Sequence, residues 1–244
     1  MKTLNFKDSY NQWANKLIEE ENNIDDAMQK AIGAEFISGG KMERDILIQH
    51  GLMSNNYLID IGCGSGRLAL PMSKYFTDGQ YFGFDVVPDF VKYAKSLVNN
   101  PNFRFETVNG FVIKEEDNKA DMICAFSIFT HLMYEETYNY FKEVKRVLKS
   151  GGKFIFSFLE FKINSHWNVF DYDVKNIGDE KPLNMFLSRD AITAFTNHLD
   201  MNVECFYDGD VPHIELTEDI VKEDGTIFTG LGTLGQSICV ISKK

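Results

Sequence analysis

Three glycines alternate with other residues directly after a short apolar segment, in the stretch Tyr57–Leu70 (YLIDIGCGSGRLAL). The LIDI segment is rich in β-favouring residues and predicts a buried strand. Gly62, Gly64 and Gly66 then predict a sharp turn, where the absence of Cβ atoms lets a ligand approach the main chain. Helical spacing resumes from Ser65. The strand, turn and helix together predict a ligand pocket.

Two acidic residues stand at the ends of neighbouring predicted strands. Asp60 lies near the end of the first strand, and Asp85 follows the second, Tyr81 to Phe84. Ligands of open parallel sheets bind at the carboxyl ends of the strands. Asp85 also follows the glycine turn by about 20 positions, the separation at which a carboxylate can accept hydrogen bonds from both ribose hydroxyls. An adenosine-containing ligand is therefore predicted.

A dinucleotide site is the competing interpretation of this turn. It requires a third glycine at position 67, where this sequence has Arg67. The carboxylate of Asp60 would also repel a pyrophosphate and attract a positively charged group. These two departures favour a cationic adenosyl ligand.

The segment LIDIGCGSGR closely resembles motif I of the class I S-adenosylmethionine-dependent methyltransferases. Further segments resemble later motifs of that family in the same order, up to about Phe158: GFDVVPDFVKYAK, FETVNGF, ADMICAFSIFTHL and VLKSGGKFIFSF. The terminal GQSICVISKK resembles the family's antiparallel last strand. The resemblance implies S-adenosyl-L-methionine as the cofactor and S-adenosyl-L-homocysteine as its product.

The resemblance also implies which residues surround the cofactor. The expected cofactor-binding residues are Asp60, Gly62, Cys63, Gly64, Gly66, Asp85, Val86, Asn109, Gly110 and Phe126. Asn109 stands where many relatives carry an acid, and its amide oxygen can accept the same hydrogen bond from adenine. A glycine turn kept for packing alone, without a ligand, is the alternative.

Methyl transfer needs alignment and exclusion of water more than a fixed catalytic group, so the acceptor side is less defined. A general base helps when the acceptor is a hydroxyl. The predicted topology places His131, His166 and His213 in loops on the ligand face. His131, within the SIFTHL segment, is our first candidate for the base, and a structural histidine is the equally weighted alternative. No metal site is expected.

Strands alternating with helices predict an α/β fold with a Rossmann-like, doubly wound, seven-stranded sheet. The sheet is expected to be mostly parallel, with an antiparallel last strand and additional N-terminal helices. We expect a helical cap at 1–50 and a methyltransferase core at 51–244, with a lid-like insertion at about 160–187. Cap helices are predicted around Tyr10 to Ile18, Ile24 to Ile37 and Lys41 to His50, with a hinge at Gly39-Gly40. The stretch from Asp208 to Gly235 reads as loop.

The composition is that of a soluble globular protein of 244 residues with a net charge of −11. This charge disfavours nucleic-acid substrates, because they require a basic face. The sequence has no apolar run of membrane-span length and no secretory signal, so a cytoplasmic location without membrane association is expected. The four widely spaced cysteines, Cys63, Cys124, Cys205 and Cys239, are expected to be core thiols.

The leading hypothesis is a methyltransferase acting on the oxygen or nitrogen of a small-molecule acceptor. Two alternatives remain open: methylation of a protein side chain, which the acidic surface would suit if the partner is basic, and a non-catalytic protein that binds an adenosyl ligand. The sequence leaves the acceptor and the oligomeric state undetermined.

Overall fold

The computed structural model describes residues 12, 16–17, 19–21, 23–33, 35–177 and 184–244. A seven-stranded sheet forms the centre. In chain order its strands are β1 (Tyr57–Ile61), β2 (Gln80–Asp85), β3 (Phe103–Thr107), β4 (Ala120–Ala125), β5 (Leu148–Phe158), β6 (Met201–Tyr207) and β11 (Ser237–Lys243). Four two-residue strands lie between the last two: β7 (Ile214–Glu215), β8 (Ile220–Val221), β9 (Ile227–Phe228) and β10 (Leu231–Gly232).

The order across the sheet is β3-β2-β1-β4-β5-β11-β6. The first five strands in this order pair in parallel, and β11 runs antiparallel to both β5 and β6. The chain leaves β1 towards β2 on one side and later returns to β4 on the other. This reversal beside β1 creates the crevice in which doubly wound sheets bind ligands.

Seven described helices accompany the sheet. They are α1 (Ile24–Ala31), α2 (Phe36–Gln49), α3 (Ala69–Tyr75), α4 (Pro88–Leu97), α5 (Tyr134–Val147), α6 (Asn164–Lys175) and α7 (Arg189–His198). The strands bury both faces: Ile59 and Ile61 of β1 join one apolar cluster, and Leu58 joins another. Burial on both faces explains why β1 is an almost continuous apolar run. The expected Rossmann-like architecture is confirmed.

The predicted hinge at Gly39-Gly40 is wrong. Both glycines lie inside α2, which begins at Phe36, and α1 ends at Ala31 rather than at Ile37. A Cβ atom at Gly40 would collide with the carbonyl oxygen of Arg67, so the glycine permits close packing of α2 on the glycine turn. Of the helix predicted around Tyr10 to Ile18, Leu17 is helical and buried, whereas Tyr10, Trp13 and Ile18 lie outside the described residues.

One further segment differs from expectation, the stretch from Asp208 to Gly235 that was predicted to be a loop. It contains the two-residue strands β7 to β10. The segment predicted as an insertion, at about 160–187, contains helix α6 among its described residues. Strand β5 begins at Leu148 and includes Gly151 and Gly152, and its pairing with β4 is irregular there. Among the described helices, none has the length and apolar character needed to cross a membrane.

Candidate active site

A cavity of about 330 Å³ lies at the carboxyl ends of β1, β2 and β4. Asp60 and Ile61 of β1, Phe84 and Asp85 of β2, and Phe126 after β4 all line it. The cavity therefore occupies the crevice that the reversal of strand order creates, and its volume is in the range of small-ligand sites.

The glycine turn forms the floor of the cavity. The backbone N–H groups of Gly62 and Cys63 donate to the carbonyl oxygen of Phe84, at 2.8 and 3.0 Å, and tie the turn to β2. Gly62 has a φ of +70°, and a Cβ atom there would collide with the side chain of Ile128. Gly66 serves packing instead, because its Cβ would lie 3.1 Å from Ala94 of α4.

The carboxylate of Asp85 is held in a fixed position by backbone donors. Its Oδ2 accepts a hydrogen bond from Gly64 N at 3.0 Å, and its Oδ1 accepts one from Val87 N at 2.9 Å. Burial raises the pKa of Asp85, and these N–H donors counter that rise. The group is thus preorganised beside the turn and retains lone pairs for a ligand.

Asp60 carries a buried carboxyl group whose pKa is raised. It is 3% exposed, accepts a hydrogen bond from the hydroxyl of Tyr81, and lies 3.6 Å from the thiol of Cys124. Burial raises the pKa of Asp60 to about 7, and the nearby carboxylate of Glu43 adds to the rise. A cation in the cavity would favour its ionised form.

The N-terminal helices complete the wall on the side of the turn. Glu43 of α2 is 2% exposed and forms an ion pair with Arg67, and both residues line the cavity. Burial raises the pKa of Glu43, and the Arg67 guanidinium counters the rise. Ile32, after α1, lies over Gly64, whose Cβ would stand 2.9 Å from the Ile32 side chain.

Nine of the ten residues predicted to bind the cofactor line this one cavity; Gly66 is the exception. They come from the turn, from the ends of β2 and β4, and from the segment after β3. The structure thus brings together residues that are up to 66 positions apart in the sequence, from Asp60 to Phe126.

Of the three candidate histidines, His131 lines the cavity and the other two are not among its lining residues. His166 is 1% exposed; its Nδ1 accepts from Glu160 N at 3.0 Å, so Nε2 carries the proton and donates to Gly235 O at 3.1 Å. His213 stacks on Tyr207, with ring centroids 4.5 Å apart. A catalytic role for any of the three stays a prediction.

The cavity also contains residues that sequence reasoning missed. Glu136 and Tyr140 lie in the first half of α5, four positions apart on one helix face, and both line the cavity. The i, i+4 spacing of two polar residues on a predicted helix was the sequence signal that could have identified them. Ser127, also a lining residue, has a φ of 60°, and its backbone N–H donates to Ser157 Oγ at 2.7 Å. Three large aromatic residues after β4 and β5 are not among the lining residues: Phe129 packs in the core, and Trp167 and Phe170 contact each other on α6.

Comparison with known proteins agrees with this architecture. A family described as "Methyltransferase domain" matches residues 59–156. The malonyl-[acyl-carrier protein] O-methyltransferase of Hahella chejuensis is 23% identical over 200 residues, which cover 80% of this chain and 65% of that protein. Across three curated relatives, the matched segments span 39% to 65% of the relative's own length.

Solved structures share the fold at low sequence identity. The magnesium protoporphyrin IX methyltransferase of Synechocystis PCC 6803, solved with bound SAH, has a TM-score of 0.61 at 13% identity, covering 98% of each chain. A SAM-dependent methyltransferase from Anabaena variabilis has a TM-score of 0.63 at 15% identity, covering 99% of this chain and 96% of that one.

The strand order, with the glycine turn and the cavity beside it, is that of the Rossmann-like methyltransferase fold. The match to the methyltransferase family covers residues 59–156, less than half of the chain, and the solved structures that share the fold include S-adenosylmethionine-dependent methyltransferases.

Proposed function

We propose that this protein is an enzyme that transfers the methyl group of S-adenosylmethionine to the oxygen or nitrogen of a small-molecule acceptor. The observation that carries the proposal is the fixed Asp85 carboxylate, held by Gly64 N and Val87 N at the edge of a cavity of about 330 Å³. A carboxylate preset in this way suits the two hydroxyls of a ribose.

The charges of the cavity support a cationic cofactor. Four lining residues carry carboxyl groups: Glu43, Asp60, Asp85 and Glu136. Among the lining residues the one permanent cation is Arg67, and it is already paired with Glu43. Burial of several carboxyl groups around one cavity is costly without a compensating positive charge, which a sulfonium with its ammonium group would supply.

The proposed roles of the residues follow their positions. Asp85 would hold the ribose hydroxyls, Asn109 would accept from the adenine amino group, and Asp60 would face the positively charged end. When bound, S-adenosylmethionine supplies a methyl group activated by its sulfonium. The protein's part is to align the acceptor, to exclude water, and to remove the acceptor's proton at a ring nitrogen of His131.

The same charges narrow the acceptor. The relatives' names cover both a malonyl group on a carrier protein and the small molecule magnesium protoporphyrin IX. In this chain three acidic residues besides Glu43 line the cavity, Asp60, Asp85 and Glu136, so a carboxylate acceptor would meet repulsion there. A neutral hydroxyl or amine fits better.

Mass spectrometry with a deuterated methyl donor tests the proposal. The purified protein is incubated with the donor and a metabolite extract, and in parallel with a lysate protein fraction, using Asp85→Ala as the matched control. We expect label in a small molecule, and none with the variant. If the label appeared only in proteins, the acceptor would be a protein side chain rather than a small molecule. Cofactor binding without any methyl transfer would indicate a non-catalytic binding protein.

A further inference from the structure

Tyr140 is a polar side chain of the cavity wall with no role in the proposed function. It lies on α5, is 5% exposed and lines the cavity. Phe111 meets its ring edge-on, with centroids 5.4 Å apart and planes at 89°, and Phe129 packs on it at 6.5 Å. These contacts fix the orientation of the ring, so only the hydroxyl hydrogen is left to rotate towards an acceptor.

The Tyr140 hydroxyl faces cavity space rather than the sealed core. Within the described part of the chain, the Tyr140 hydroxyl has no hydrogen-bond partner. It is not one of the fully buried polar atoms without a partner, so its oxygen is accessible from the cavity. Thr137, three positions earlier on the same helix, shows the contrast, because its hydroxyl is both buried and unpartnered. A phenol in this position is available to a ligand.

The electrostatic surroundings keep this hydroxyl protonated. Burial is the main cause that raises the pKa of Tyr140, and the carboxylates of Asp85 and Glu136 add to the rise. The group is therefore a hydrogen-bond donor throughout the physiological pH range. Its ring contact with Phe111, which lines the cavity two positions after Asn109, places Tyr140 at the proposed adenosine end of the site.

We infer, resting on the proposed function, that the Tyr140 hydroxyl donates a hydrogen bond to an acceptor atom of the adenosine part of the cofactor. Asp85 accepts hydrogen bonds from the ribose, whereas Tyr140 supplies a donor from a second wall formed by α5. The pair would select adenosyl ligands by combining an acceptor and a donor that approach from different elements.

Calorimetric titration with S-adenosylhomocysteine and with 5′-methylthioadenosine, which lacks the amino-acid end, tests the inference. The variant is Tyr140→Phe, which retains the ring contacts with Phe111. The matched control is Tyr138→Phe, a tyrosine of the same helix that packs on Phe195 and does not line the cavity. Circular dichroism fixes a temperature at which all three proteins are folded.

We expect Tyr140→Phe to bind both ligands about three- to tenfold more weakly, the loss of one neutral hydrogen bond, and Tyr138→Phe to bind like the wild type. If the wild type binds and Tyr140→Phe binds equally well, the inference is wrong while the proposed cofactor stands. A loss confined to S-adenosylhomocysteine would also overturn it, because the contact would then lie at the amino-acid end. A wild type that binds neither ligand contradicts the proposed function itself.

Discussion

The carbonyl oxygen of Arg67 lies where a Cβ atom of residue 40 would stand, so α2 packs on the glycine turn only because Gly40 has no side chain. This contact brings Glu43, one turn further along α2, to its ion pair with Arg67. The N-terminal helices thereby form part of the cavity.

Gly40→Ala should lower the free energy of unfolding by about 1 to 3 kcal/mol, the usual cost of overpacking a close contact. The adjacent Gly39→Ala is the matched control, since its Cβ would meet the Arg67 side chain at an ordinary 3.5 Å. We expect the control to be neutral or slightly stabilising, because alanine favours helix. Urea denaturation followed by circular dichroism measures both, and equal stabilities would contradict the contact.

Affinity for S-adenosylmethionine should fall by about three- to tenfold between pH 8 and pH 6. Burial raises the pKa of Asp60 to about 7, so the carboxylate that we propose to lie near the cation becomes protonated across this interval. Asp60→Asn should bind more weakly at pH 8 and show a flatter profile. Calorimetry in matched buffers measures the affinity of both proteins across this pH range. If the affinity of Asp60→Asn depended on pH as steeply as that of the wild type, a group other than Asp60 would be responsible.

The same titration affects stability with the opposite sign. The pKa of Asp60 is higher in the folded protein than in the unfolded chain, so folding binds a proton between the two values. In the unliganded protein, the contribution of Asp60 to stability should therefore decline as the pH rises from about 4 to about 7. Thermal melts of Asp60→Asn across this range should lack that part of the decline.

His131→Ala should reduce methyl transfer by about 100-fold or more and leave the affinity for S-adenosylhomocysteine nearly unchanged, because loss of a general base affects the proton transfer. His213→Ala is the comparison, since His213 stacks on Tyr207 away from the cavity lining. Initial rates with the acceptor found by mass spectrometry measure both. An unaffected rate of methyl transfer for His131→Ala would contradict a role as general base and indicate a structural role for this histidine.

Arg189→Leu should lower the free energy of unfolding by about 3 kcal/mol. The reason is Glu160, a 4% exposed carboxylate that Arg189 contacts through two nitrogens at 2.7 and 3.0 Å. Without the guanidinium, that charge stays buried and unpaired. Lys175→Ala breaks an exposed pair with Asp171 and should cost less than about 0.5 kcal/mol. Similar losses for the two variants would show that the Glu160 pair contributes little.

The sequence was sufficient to predict the sheet and most of the cavity, because local signals determine both. Apolar runs such as LIDI predict buried strands, and the alternating glycines with Asp85 predict where a nucleoside would lie. The contribution of α2 to the cavity wall was not predicted. Glycine is required at position 40 because of the carbonyl oxygen of Arg67, which is 27 positions away in the sequence, and no local pattern reveals that contact. The position of His166 likewise depends on a long-range contact, with Gly235, which is 69 positions away in the sequence.

The central claim is that Asp85 anchors the ribose of an adenosyl cofactor, and calorimetry with S-adenosylhomocysteine tests it most directly. We expect the wild type to bind and Asp85→Ala to bind about 10- to 100-fold more weakly, as for loss of hydrogen bonds to a charged group. Asp89→Ala, an exposed acid at the start of α4, should bind like the wild type. Equal affinities for the wild type and Asp85→Ala would contradict the account.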